Sequence, residues 1–159
     1  MSRLIAALER LSVGGALLSA VFMGLTVLLI VVEILLRATS GASTFVASEY
    51  SGYFLVAIVV FGLGFTLKEE AHIRITLLHS RLSARWRKVV DVVVALTSMA
   101  LTMYILVYSV QLVYETYSLE MTADTISETP LWIPQCAIPL GLAVFLLQFV
   151  AFIAGRVRK

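Results

Sequence analysis

Residues 68–88, KEEAHIRITLLHSRLSARWRK, hold six of the twelve lysines and arginines of this 159-residue chain, Lys68, Arg74, Arg81, Arg85, Arg87 and Lys88, together with both of its histidines. Long apolar runs flank the stretch on either side. A basic cluster in that setting is no nucleic-acid patch on a soluble domain; it is a connector lying where a membrane meets water. Lys and Arg clustered near span ends are retained on the cytosolic side, so this segment orients everything around it. Its first half alternates, with His72, Arg74 and Thr76 against Ile73, Ile75 and Leu77. From Leu78 the spacing becomes helical through Leu82, Trp86 and Val89, with Arg81, Arg85 and Lys88 beside that face and Trp86 at headgroup depth. Arg81, Arg85, Trp86 and Lys88 are therefore the expected membrane-interface residues. His72 and His79 read as a solvated pair.

Composition points the same way. Mean hydropathy is +0.99, 60% of residues are apolar and 14% are charged, whereas charged residues make up about 25% of a soluble domain. The expected fold class is an all-α membrane protein of four transmembrane helices in a single integral membrane domain, residues 1–159. A lone cysteine, Cys136, excludes an intrachain disulfide and a paired-thiol redox or zinc motif.

On the amino-terminal side of the connector, Tyr50–Leu67 is an uncharged run holding ten strongly apolar residues, for an insertion free energy of about −3 to −6 kcal/mol. Gly62 and Gly64 allow either a close helix contact or a bend. Ser48 before Glu49 is a helix-start signal, and Glu49 suits the positive end of the helix dipole. The charge-free loop TSGASTFVAS precedes it. Further back, Leu11–Val32 is an uncharged run of 22 residues, roughly 33 Å long at about 1.5 Å per residue, against a hydrocarbon core of about 30 Å. The run is too long for a cleaved signal peptide and reads as a retained span. MSRLIAALERL is its short amphipathic lead-in. Ala16, Ala20 and Gly24 recur every four residues, the small-residue stripe that lets helices approach closely in lipid. Glu33 and Arg37, four apart, share a helical face at the end of this span. They form either an ion pair reaching for the interface or a polar contact with a partner subunit.

On the carboxy-terminal side, Ser83 is placed to cap a third span from Val89 to about Tyr114, with Tyr104, Tyr108 and Tyr114 toward one end and Gln111 as a polar group able to bond another helix. The next loop carries Glu115, Glu120, Asp124 and Glu128 and no basic residue. A fourth span then runs to Gly155, entered through Pro130, Pro134 and Pro139; the last two each remove a backbone donor and are expected to kink or unwind it. The expected spans are thus about 11–36, 50–67, 89–114 and 130–155. Eleven of the twelve basic residues fall in the amino terminus, the connector and the tail, leaving only Arg37 for the other two loops. Both termini are expected in the cytosol.

These residues also carry a family likeness. FGLGFTLKEEAHIRITLLHSRL, with its glycine-bearing span, polar turn, His-Ile-Arg and leucine pair, resembles the signature of the small, Q-type membrane subunit of tripartite ATP-independent periplasmic (TRAP) transporters. Glu49 resembles that family's acidic residue opening the second span, and TPLWIPQCAIPLG resembles its fourth-span entry. The likeness covers about Glu33 to Leu147 and departs at Ala71, Thr76 and Gln135–Cys136. It implies a bacterial inner-membrane protein that is no enzyme. It also implies two protein partners besides membrane lipid, and no nucleic acid: a large multi-span permease subunit, and a periplasmic substrate-binding protein that delivers an organic acid. Uptake would be sodium-coupled with the sodium held in the large subunit, so no cofactor, metal or catalytic residue is expected in this chain. Its part would be a scaffold. The expected subunit contacts are Ala16, Ala20, Gly24, Glu33, Arg37, Glu49, Arg74, Gln111, Pro134 and Pro139. The alternatives are a stand-alone four-helix exporter, with Glu33 as its carboxylate, and an unrelated membrane assembly factor.

Overall fold

Residues 2–69 and 83–158 are described by the structure, a computed structural model. They form helices α1 (Ser2–Ser40), α2 (Ala47–Lys68), α3 (Ala84–Ser118), the single turn α4 (Trp132–Gln135) and α5 (Ala137–Arg158). Four stretches are long and apolar enough to cross a membrane: Ala6–Ser40, Ala47–Lys68, Val89–Ser118 and Trp132–Ala154. The amphipathic lead-in is no separate element. It runs into the first span as one 39-residue helix, about 58 Å long.

Helix α5 is the hub. The α1–α2 pair receives it along one side, and α3 packs on its other side, reaching only α5 and the α4 turn among its principal neighbours. Close approach is set by glycine at two crossings. A Cβ on Gly15 of α1 would stand 2.8 Å from the Phe61 carbonyl oxygen of α2, and one on Gly141 of α5 would stand 2.6 Å from Val60 Cβ. Neither position admits a side chain without the helices parting. Phe61 itself is buried and stacks 6.3 Å from Phe22 of α1.

The seam between α3 and α5 has a different basis. Val92, Ala95, Met99, Thr102, Leu106, Ser109, Val113 and Thr116 follow one another at alternating steps of three and four, and they are the buried or half-buried residues of that face. This is the heptad repeat of a left-handed helix pair. Every second member is small or hydroxylated: Ala95, Thr102, Ser109 and Thr116 are each no more than 6% exposed. Large side chains come from the partner, with Phe145 and Phe149 of α5 joining Ala95 and Leu67 in the core and Met99 packing against them. Thr102 and Ser109 return their hydroxyl protons to the Ser98 and Leu106 carbonyls of their own helix, so these hydroxyls of the seam are satisfied locally.

Local signals at the helix ends are partly met. Ser83 is the residue before α3 in an extended conformation, but its side chain makes no capping bond. Helix α2 begins at Ala47, one residue before Ser48, with Val46 as its uncapped leading residue; the loop is fixed from a distance, as shown below, and the local cap is not used. The fourth span breaks at Cys136, between Pro134 and Pro139. The Cys136 amide is shared between the Trp132 and Ile133 carbonyls, at 3.1 and 3.3 Å, and Pro139 has no amide to continue the ladder.

Candidate interaction site at the loop end of the bundle

The α1–α2 loop and the α3–α4 loop lie at the same end of the molecule, and each is fastened by a carboxylate from a helix. Glu33, 6% exposed, is the first. Its Oε1 accepts from Arg37 Nε at 2.7 Å and from Ser43 Oγ at 2.5 Å. Its Oε2 accepts from the Thr44 amide at 3.0 Å and Thr44 Oγ1 at 2.5 Å. Ser43 also accepts from Arg37 Nη2 and the Phe45 amide, both at 3.2 Å. Two residues of the loop have positive φ: Gly41 at +66°, closing α1, and Phe45 at 60°. The ion pair expected from the four-residue spacing is present, but most of what Glu33 holds is the turn.

Glu49 is the second carboxylate. Tyr53 one turn on donates to its Oε1 at 2.8 Å, while Thr125 and Ser127 of the α3–α4 loop donate to Oε2 at 2.5 and 2.8 Å. A relay of hydroxyls continues it, with Thr129 Oγ1 2.8 Å from Ser127 Oγ and 3.1 Å from Tyr50 OH. The base of the loop is closed by backbone bonds, Ala123 to the Thr129 carbonyl and Leu131 to the Met121 carbonyl, around an isolated bridge between Thr122 and Pro130. Beside the second fastening, bordered by Ser127 and Thr129, a cavity of about 420 Å³ opens among α1, α2 and α4, walled by Phe22, Tyr50, Tyr53, Phe54 and Ile133.

Inside the spans, side-chain bonds between described residues tie helix to helix. Ser12 Oγ donates to Gln148 Oε1 at 2.7 Å, Ser19 Oγ to the Ile58 carbonyl at 2.7 Å, and Thr116 Oγ1 to Gln135 Oε1 at 2.5 Å. Among the described residues no buried side-chain nitrogen or oxygen lacks a partner. The interior polar groups are thus consumed by the fold.

The other sequence-derived contacts lie elsewhere. Ala16 is half-buried, Ala20 and Gly24 are exposed, and a Cβ on Gly24 would meet nothing within 4 Å. The α1 face turned inward is the neighbouring one, Ser12, Gly15, Ser19 and Phe22. Gln111 is exposed, and the glutamines that bond other helices are Gln135 and Gln148. Pro134 and Pro139 are half-buried on either side of the Cys136 break. Trp86 is 63% exposed near the start of α3, where Arg85 and Lys88 also fall. Arg74 and Arg81 lie outside the described residues, as do His72 and His79. Sequence reasoning missed Ser43 and Thr44 altogether, and Thr125, Ser127 and Thr129 as well. The alternation of hydroxyls in TISET was the available signal for the second group.

Comparison with known proteins places this architecture. The family model of the tripartite ATP-independent periplasmic transporters, DctQ component, matches residues 26–159, which takes in both loops, the α3 seam and the broken fourth span. The chain belongs to the DctQ family. It is also 24% identical over 137 residues, 84% of this chain and 70% of the other, to the ectoine TRAP transporter small permease protein TeaB of Halomonas elongata. A DctQ chain is a transporter subunit and no enzyme, and this one is a multi-pass protein of the bacterial inner membrane.

Proposed function

We propose that this DctQ chain is the bracing subunit of a three-part carrier. It holds the fixed frame of a large permease subunit that takes up an organic acid with sodium, and the acid is delivered by a periplasmic binding protein. The observation that supports this is an imbalance. Among the described residues the interior polar groups are paired within the chain, whereas only 6% of the apolar stretch of the first span and 11% of that of the third are buried within it. Helices that apolar and that uncovered meet either lipid or another membrane subunit, and small residues on an open helix face favour a subunit. The open stripe of Ala16, Ala20 and Gly24 is such a face, with Gln111 and the flanks of the broken fourth span as further contacts.

The connector and both termini face the cytoplasm in this reading, which the distribution of basic residues supports, and the two fastened loops face the periplasm. A cysteine introduced at residue 126, in a Cys136→Ser chain, is expected to react with a membrane-impermeant thiol reagent in intact spheroplasts; protection until lysis would reverse the orientation. The stand-alone exporter is disfavoured by Glu33, which three donors of Ser43 and Thr44 bind to a loop at the span end. For the bracing role, Ala20→Leu/Gly24→Leu is expected to abolish copurification of the large subunit. An intact complex would remove that face from the interface.

A further inference from the structure

We propose that the α1–α2 loop is a bilayer-seating corner: Phe45 enters the boundary between headgroups and acyl chains, Arg37 meets a lipid phosphate, and Glu33 is the positioning residue that holds both. Phe45 is 66% exposed and sits at φ 60°, a conformation that a bulky side chain keeps only when its surroundings impose it. Here the imposition is visible. Glu33 fixes Ser43 and Thr44, and Ser43 in turn accepts the Phe45 amide.

Depth and charge select lipid as the occupant. The loop joins the ends of two spans, and large apolar side chains remain exposed up to its edge, Ile30, Ile34 and Leu35 on α1 being 43%, 59% and 57% exposed. Phe45 is therefore carried at the edge of the apolar band, where interfacial side chains settle. No acid occurs between Arg37 and Ala47, and the Arg37 side chain is 64% exposed, which leaves guanidinium donors beyond those given to Glu33 and Ser43 for a phosphate oxygen. The companion loop carries Glu120, Asp124 and Glu128, all exposed, and is the one suited to water.

The test uses the full-length chain purified by itself, with Trp86→Phe and Trp132→Phe removing background and Phe45→Trp as reporter. It is reconstituted in phosphatidylcholine–phosphatidylglycerol vesicles brominated at shallow or deep acyl positions. Blue-shifted emission, quenched more by shallow than by deep bromines and weakly by acrylamide, is expected. Strong acrylamide quenching without bromine quenching would place the residue in water, and shielding from both quenchers would place it under a protein; either overturns the proposal. Adding Glu33→Gln is expected to shift the emission red and reduce shallow quenching, and an unchanged spectrum would remove Glu33 from the positioning role. The readout does not involve transport, so its failure leaves the bracing role standing, and the reverse holds too.

Discussion

Replacing Glu49 with glutamine preserves volume and one acceptor but removes the charge that Thr125, Ser127 and Tyr53 share, and hydrogen bonds to a charged group are the stronger kind. The α3–α4 loop of Glu49→Gln is expected to be cut severalfold faster by a protease in detergent, with cleavage confined to residues 119–131; unchanged rates would show that the backbone bonds at its base suffice. Such carboxylates were only half legible. Glu33 and Arg37 show themselves by spacing, and Glu49 by its place at a helix start. Their other partners do not. Ser43, Thr44, Thr125 and Ser127 are ordinary loop residues whose hydroxyls find a carboxylate only because two turns return the chain to it, and the distance along the sequence is 76 residues for Glu49 and Thr125.

At the scale of the helix, length and hydropathy are nearly sufficient, since a span must satisfy its backbone internally and be apolar enough to enter lipid. The proline break is legible for the same local reason. Which face turns inward is not. On α1 two small-residue registers compete, and the one set by Ser12, Gly15 and Ser19 takes the inside because Gly15 alone lets the Phe61 carbonyl approach. On α3 the packing residues Thr102, Ser109 and Thr116 look like scattered polar interruptions until read at steps of seven. Thr102→Leu is expected to destabilise the detergent-solubilised protein by about 1–3 kcal/mol through overpacking of that seam. Tyr104→Leu, at a residue 60% exposed, is expected to stay within about 0.5 kcal/mol. Equal effects in unfolding titrations would refute the heptad contact.

For the whole molecule, the informative variants are those that separate the fold of the chain from the assembly proposed for it. Gly24 has open space around it, with Ala20 exposed on the same face, so Ala20→Leu/Gly24→Leu is expected to leave thermal unfolding of the isolated chain within about 0.5 kcal/mol of the parent even as the large subunit is lost. A comparable loss of intrinsic stability would mean that the stripe serves this bundle. The family was legible in the sequence through its signature, but the layout of neighbouring helices was not, because loops say which helices are consecutive and nothing about which are adjacent.

The hub position of α5 carries a consequence for biogenesis. Synthesis runs from the amino terminus, so the packing edge of α3 enters the bilayer before the helix that covers it exists. During that interval the nascent chain is a paired hairpin and a solitary neighbour, and the helix that follows them in the chain is the one that converts them into a single body.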